Sequence, residues 1–195
     1  MSDQNVYYAL VPSFYVQSTF DPIRHLFRRR NVFTEPDQKS LEFIVKSIKD
    51  IANLCAKKGI ASPKTTILID DLAGNSIIHG NRRGVFSNFV TQFRHYNVSI
   101  IVISQQPKSV DPNFRDNVCD TIVFPTEREE DVNWMKGAYN SSILRNKASV
   151  DSIISSAWRG LKVGNDEVGE HFLYIHSQQR GVSRFFVDFN SEIVP

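Results

Sequence analysis

The amino-acid sequence predicts an α/β fold, with a mainly parallel sheet flanked by helices and a β-hairpin near the C-terminal end. Short β-branched apolar runs alternate with amphipathic segments, which is the element order that parallel sheets require. Two further apolar runs, at 172–175 and 184–189, are separated by a turn-like segment and predict the hairpin. With 195 residues, 41% of them apolar, the chain is predicted to form one domain over residues 1–195.

The first predicted elements are a strand and a short basic helix. The apolar run 6–11 predicts a strand that ends at Pro12, and residues 21–30 predict a helix with Pro22 in its first turn. Four arginines lie in this helix, at positions 24, 28, 29 and 30. They form either a solvated helix face or a surface that contacts phosphate groups.

The most regular predicted helix starts near Thr34 and ends near Gly59. The segment 34–37 combines a threonine, a proline and an acid, a pattern typical of a capped helix start. Lysines at 57 and 58 followed by a glycine are typical of a helix end. Apolar residues recur between them at three- and four-residue steps: Leu41, Ile44, Val45, Ile48, Ile51 and Cys55.

The middle of the chain predicts two strands joined by a long loop and a helix. The run 65–69 predicts a buried strand, and residues 72–84 are a polar loop longer than a simple connection needs. A helix that starts at Val85 and ends near Tyr96 and Asn97 then leads into a strand over 98–104. Residues 107–115 look irregular, 121–124 predict another strand, and 126–135 and 149–158 predict helices.

Polar side chains follow two of the predicted strands directly. Asp70 and Asp71 end the first run, and Gln105 follows the second. Open α/β sheets bind ligands at the carboxyl ends of their strands, so these three side chains are a candidate site. A carboxylate beside a polar sensor is what a magnesium-nucleotide site needs. The alternative is that the acids are simply the polar end of a buried strand.

Composition excludes several other classes of protein. The net charge of +2 does not by itself indicate a nucleic-acid partner. Cys55 and Cys119 predict buried free thiols in a reducing compartment rather than a disulfide or a metal site. His171 and His176 do not have metal-ligand spacing on a strand. Without an apolar stretch of about 18 residues or a signal-peptide pattern, the prediction is a soluble intracellular chain with no membrane partner.

The segment 94–107 resembles the helix-strand-glutamine unit of the FtsK–HerA superfamily of DNA-pumping ATPases. Arg94 stands eleven positions before Gln105, and Pro107 stands two after it. Together with 66–71 before it and 114–117 after it, the pattern is most similar to the genome-packaging ATPases of large DNA viruses, virophages and related transposons. The resemblance extends over about residues 6–124.

This resemblance implies a RecA-like sheet of the P-loop NTPase class that binds ATP and Mg²⁺. Asp70 would be the Walker B acid that holds Mg²⁺ through water, and Asp71 would polarise the attacking water. Gln105 would sense the γ-phosphate between the two strands. These assignments belong to the family pattern and are carried onto the matching positions of this sequence.

The resemblance also implies roles for four arginines. Arg94 and Arg115 would be candidates for an arginine that reaches the nucleotide of a neighbouring subunit in a homo-oligomeric ring. The alternatives are a helix-end cation for Arg94 and a surface salt bridge for Arg115. Arg82 and Arg83, in a loop over 81–84, would face double-stranded DNA, with a solvated turn as the alternative.

One part of the family pattern is missing. The 195 residues contain no G-x-x-x-x-G-K-[ST] phosphate-binding loop. In the family, the strand before that loop lies at the centre of the sheet, between the strands that here end near Gln105 and Phe124. We therefore expect a sheet without its central strand and a chain truncated at its N-terminal end relative to the family. A split gene, a mis-assigned start codon and a degenerate remnant would each explain this.

The predicted function is that of an ATPase subunit in a motor that moves viral double-stranded DNA into a capsid. Capsid or portal-like proteins would be further partners, and the location would be the host-cell cytoplasm (viral factory) or the virion. One alternative is an inactive paralogue without a P-loop that binds DNA or the motor. Another is an unrelated α/β protein whose acids merely cap a strand.

Overall fold

The computed structural model divides into two compact units, Met1–Asn117 and Val118–Pro195. The prediction of a single domain over 1–195 stays a prediction. The structure describes residues 5–12, 20–72, 75, 77, 84–126, 128–138, 152–154, 162–163, 166–167, 172–177, 183–189 and 191–193.

The first unit is built on a four-stranded parallel sheet. Its strands are β1 (Val6–Leu10), β2 (Val32–Phe33), β3 (Thr65–Asp70) and β4 (Val98–Ile103), in the spatial order β2-β1-β3-β4. β3 and β4 pair along their whole lengths. Both strands were predicted, and the α/β fold with a mainly parallel sheet is confirmed.

Helix α1 (Gln38–Lys57) begins at Asp37 rather than near Thr34, so the predicted start was three residues early. Asp37 Oδ1 accepts a hydrogen bond of 2.7 Å from Ser40 N, and Ser40 Oγ accepts one of 3.4 Å from Asp37 N. Such a reciprocal cap satisfies amides of the first turn. The predicted end is confirmed, because Gly59 has a φ of +65° and the chain leaves the helix there. The periodic positions are buried at Leu41, Ile44, Val45, Ile48 and Cys55.

One face of the parallel sheet is covered over β1 and β3 but not over β4. Leu68 packs with Ala9 of β1, with Val11 and with Phe20 in a buried apolar cluster. Register partners place their side chains on the same face of a sheet, and the β4 partner of Leu68 is Ile101. Ile101 and Ile103 are 50% and 52% exposed. Among the strands that the structure describes, β4 also lies at one edge of its sheet. The run 98–104 is therefore an edge strand, and not the core strand that its apolar sequence predicts.

Two short helices complete the described part of this unit. α2 (Val85–Val90) packs against α1, and a 3₁₀ turn (Phe93–Tyr96) leads into β4. The segment predicted to be irregular contains α3 (Pro112–Asn117), so that prediction was wrong. Asp111 explains the helix: its Oδ1 accepts hydrogen bonds from the amides of the first turn, and Pro112 suits that position.

The second unit is built on an antiparallel sheet. β5 (Asp120–Val123), β8 (Leu173–Ser177), β9 (Ser183–Val187) and β10 (Ser191–Ile193) lie in the order β10-β9-β8-β5. Two short strands, β6 (Lys162–Val163) and β7 (Asp166–Glu167), pair separately, and α4 spans Glu129–Ala138. β8 and β9 are the predicted hairpin. β5 pairs antiparallel with β8 in this sheet, not with a strand of the parallel sheet.

One face of the antiparallel sheet is apolar and buried. Its core consists of Met135, Ile153, Ile154, Leu173, Ile175 and Phe185. Of the helix predicted over 149–158, residues 152–154 are described and helical, and the rest lies outside the described residues.

The two cysteines and the helices bear on two further predictions, as far as the described residues extend. Cys55 is buried and Cys119 is partly buried, and neither forms a disulfide. Among the residues described, no helix has the length and apolar character needed to span a membrane.

Candidate functional site

The carboxyl ends of β3 and β4 form a polar edge in the first unit. Asp70 is the last residue of β3, and its register partner is Ile103, the last residue of β4. The amide of Asp71 continues the ladder by donating to the carbonyl of Ile103 at 3.1 Å. Gln105 follows two residues after β4. The structure thus places Asp70, Asp71 and Gln105 together at the carboxyl ends of two neighbouring strands.

Asp71 has a left-handed backbone, with a φ of 47°. Aspartate and asparagine adopt this conformation more readily than other side chains with a Cβ atom. The change from an extended to a left-handed backbone ends β3 between the two acids. Asp70 therefore remains on the sheet, on the same face as Leu68, while Asp71 belongs to the turn that follows.

A hydrogen-bonded turn holds the backbone on both sides of Gln105. Ser104 Oγ accepts from the amide of Gln106 and donates to its carbonyl, both at 3.1 Å. Ser109 Oγ donates to the same carbonyl at 2.7 Å. Gln105 is exposed at the centre of this turn. Sequence reasoning missed both serines, although Ser-Gln-Gln-Pro directly after an apolar run is a turn signal.

Arg94 lies at the opposite end of β4 from Gln105. Its Nη2 donates to the carbonyl of Asn117 at 3.2 Å, and its guanidinium lies 5.6 Å from the ring centre of Phe93. The six residues of β4 span roughly 20 Å, so Arg94 is not brought near Asp70 in the same chain. Asn117 is the last residue of α3, so this hydrogen bond joins Arg94 to the end of that helix. Both predicted roles of Arg94 stay predictions.

Arg115 lies in α3, which packs against α2. The rings of Phe86 and Phe114 are 5.8 Å apart, and Asn113 Nδ2 donates to Ser87 Oγ at 2.6 Å. Arg115 is partly buried, and its Nε atom is shielded from solvent. The two interpretations of Arg115, an arginine that reaches a neighbouring subunit and a surface salt bridge, both stay predictions.

Arg82 and Arg83 lie outside the described residues, so their predicted contact with DNA stays a prediction. In the part of the chain that the structure describes, no group of three or more His, Cys, Asp and Glu side chains is arranged to hold a metal ion directly.

Comparison with known proteins decides the family. A family model described as the poxvirus A32 protein matches residues 30–160 of this chain. The chain belongs to the poxvirus A32 protein family. The matched range includes both acids at the end of β3, Gln105, Arg94 and Arg115. The resemblance to viral genome-packaging ATPases, inferred from the sequence, is confirmed.

Solved structures similar to this A32-family chain include the genome packaging NTPase B204 of Sulfolobus turreted icosahedral virus 2. Its complex with AMP is 12% identical, covers 95% of this chain and 98% of that chain, and has a TM-score of 0.49. The DNA-packaging ATPase B204 of Sulfolobus turreted icosahedral virus is 11% identical, with 94% and 96% covered and a TM-score of 0.48. No curated protein sequence matches the chain significantly.

The electrostatics of the two acids in this A32-family chain favour a cation. Burial raises the pKa of the Asp70 carboxyl above its usual value, and the negative charge of Asp71 raises that pKa further. A divalent cation beside Asp70 would offset both the burial and the repulsion. Carboxylate oxygens are also the ligands that Mg²⁺ prefers in proteins. The residues present therefore fit a magnesium ion.

We expect the Asp70→Asn variant to be more heat-stable than the unaltered chain at neutral pH without added metal. Because folding raises the pKa of the Asp70 carboxyl, this carboxyl contributes most to the stability of the fold at pH values below its unfolded-state pKa, near 3.8. That contribution is lost as the pH rises through the folded-state pKa. Asparagine stays neutral throughout, so thermal melts should show a gain of roughly a degree or two at pH 7 that disappears near pH 3.

Asp116→Asn, at an exposed position in α3, is the matched control for this change and should not alter the melting temperature. Added Mg²⁺ should stabilise the unaltered chain more than the Asp70→Asn variant. An equal stabilisation of both would mean that Asp70 does not hold the ion.

Proposed function

We propose that this chain is the ATP-hydrolysing subunit of a motor that packages viral double-stranded DNA. Membership of the poxvirus A32 family supports the general role. The observation that supports the hydrolytic role is that the carboxyl ends of β3 and β4 lie side by side. There, two acids and a glutamine lie at the ends of neighbouring parallel strands, inside the range that the family model matches.

Each of these three residues has a proposed role. Asp70 holds Mg²⁺ through the water shell of the ion, and bound Mg²⁺ neutralises charge on the phosphates of ATP. Asp71, on the turn just beyond the strand, accepts a proton from the attacking water and orients it. Gln105, between two fixed backbone segments, donates a hydrogen bond to the γ-phosphate.

ATP binding also needs donors for the phosphates. In P-loop enzymes, backbone amides and a lysine of the G-x-x-x-x-G-K-[ST] loop supply them. We assign this loop to a polypeptide segment outside the 195 residues, on a strand that adds to β4. The position of β4 at the edge of its sheet supports this assignment. A strand that pairs in parallel with β4 would place the loop that follows it at the carboxyl ends of the strands, where Asp70 and Gln105 lie.

Arg94 and Arg115 have a proposed role between subunits. Arg94 is separated from the acids of its own chain by the length of β4, so any contact with nucleotide would be with a neighbouring copy. A homo-oligomeric ring places each site against the next subunit, where a guanidinium can offset charge on the reacting phosphate. The proposed partners are double-stranded DNA, further copies of the chain and proteins of the capsid.

The proposal is tested by measuring magnesium-dependent ATP hydrolysis with and without double-stranded DNA. The 195-residue chain alone should bind Mg-ATP no better than about millimolar and show no turnover. Joined to a strand and P-loop from the same genome, it should hydrolyse ATP, faster with DNA. Binding of DNA by the joined protein without any hydrolysis would favour the alternative of an inactive DNA-binding subunit.

A further inference from the structure

The positive charge of the chain is concentrated in one segment of the first unit. We define the basic segment as residues 21–31, which form two 3₁₀ turns, Asp21–Leu26 and Arg29–Asn31. Its four arginines outnumber its single acid by more than the +2 net charge of the whole chain. No acid occurs between Asp21 and Glu35. All four side chains are exposed: Arg24, Arg28, Arg29 and Arg30.

The basic segment is anchored to the sheet. Phe27 packs edge-on against the ring of Tyr7 in β1, at 5.9 Å, and against Phe20, at 5.1 Å. Phe20 is only 1% exposed. Asn31 Nδ2 donates to the carbonyl of Tyr7 at 3.0 Å. The arginines therefore project from a backbone that is already ordered, which lowers the entropy lost when they bind a partner.

The backbone spreads these arginines instead of converging them on one point. Arg28 is extended, with a φ of −69° and a ψ of 136°, and the next two residues begin a 3₁₀ turn. Successive residues of a 3₁₀ turn point about 120° apart. Side chains that leave the backbone in different directions are poorly placed to enclose a single phosphate. They suit an extended polyanion, whose charges are spread along a line or surface.

Arg24 is also available to bind a polyanion, although it forms an ion pair. Its ion pair with Asp21 is 3.6 Å long, and both side chains are about half exposed. Exposed pairs of this kind contribute little to stability, so the arginine can exchange its partner at small cost.

We propose that the basic segment binds the phosphate backbone of double-stranded DNA without regard to base sequence. The inference rests on the proposed function and adds a DNA-contacting surface to it. Because phosphate contacts release counterions, each contributes to a fall in affinity with rising salt, by about 0.9 in the slope of log K against log salt.

The test compares variants of the chain joined to a P-loop strand, by fluorescence anisotropy of a labelled DNA duplex at several salt concentrations. Changing Arg28, Arg29 and Arg30 together to glutamine should weaken binding at least about tenfold at low salt and reduce the slope by about 2–3. The corresponding triple change to lysine keeps the charge and should retain most of the affinity. Loss of binding in that lysine variant would overturn the proposal, because the defect would then not depend on charge.

A matched control removes the same charge elsewhere. Lys46, Lys57 and Lys58 are exposed on or just after α1, and their triple change to glutamine should alter the affinity less than about twofold. An equal loss in this control, or an unchanged salt slope in the arginine variant, would overturn the proposal. So would an effect of the arginine change only on binding to phosphatidylserine vesicles.

ATP hydrolysis without DNA separates this inference from the proposed function. If the chain joined to a P-loop hydrolyses ATP but the arginine change leaves DNA affinity unaltered, the inference about the basic segment fails and the ATPase proposal holds. If the arginine change weakens DNA binding and no hydrolysis is found, the inference about the basic segment holds and the ATPase proposal fails.

Discussion

We expect the Asp71→Asn change to lower the rate of ATP hydrolysis by about 10²–10⁴-fold, measured on the chain joined to its P-loop. The amide keeps the size of the side chain but cannot accept a proton from the attacking water. Asparagine also tolerates the left-handed backbone at this position, where φ is 47°, so the fold of the turn is retained. Binding of Mg-ATP, measured with a fluorescent analogue, should change little.

Asparagine is a better choice here than alanine. Alanine would combine the loss of the carboxylate with backbone strain, because a Cβ residue without a polar side chain adopts this conformation rarely. Asp116→Asn, on the exposed side of α3, provides the matched control and should keep full turnover. Normal hydrolysis by the Asp71→Asn variant would exclude Asp71 as the group that polarises the water.

The sequence predicted the helices and strands whose pattern is set by local burial. Helix α1 was predicted because its apolar residues recur at the helical period and face the interior. β1, β3 and the β8–β9 hairpin were predicted because runs rich in β-branched or aromatic residues end in turn residues. The predictions for the start of α1 and for α3 were wrong, since each helix start depends on a single aspartate cap, Asp37 for α1 and Asp111 for α3.

The place of a strand in its sheet could not be predicted from the apolar run that forms it. A continuous apolar run indicates burial on both faces, yet β4 has exposed isoleucines at an edge. β5 has a similar apolar sequence and pairs antiparallel in the other sheet. Both outcomes depend on which strands are available as neighbours, and this is not encoded in the run itself.

The candidate site was easier to predict than the sheet that carries it. Acids and amides that directly follow apolar runs mark carboxyl ends of strands, so Asp70 and Gln105 were expected at one edge. The position of Arg94 follows from the same rule, because a residue that precedes β4 must lie at the other edge. The serines that hold the Gln105 turn were missed, since serine is frequent in every kind of loop.

The 195-residue chain by itself is expected to associate through β4. An edge strand presents unpaired amides and carbonyls, and Ile101 and Ile103 add apolar surface at 50% and 52% exposure. Sedimentation velocity at micromolar concentrations should therefore show oligomers or poorly soluble material.

Changing Ile101 and Ile103 together to lysine should give a single monomeric species at the same concentration, because charged side chains on an edge oppose strand addition. Leu54→Lys is the matched control: this leucine is 53% exposed but lies in α1, so association should persist. If β4 is the edge that receives the P-loop strand, joining that strand to the unaltered chain should suppress association through β4, so that the remaining oligomers are those of the proposed ring. The lysine variant should remain inactive when joined. A monodisperse unaltered chain that binds ATP at micromolar concentration would contradict this, because it would require phosphate donors from within the 195 residues and leave β4 with no strand to receive.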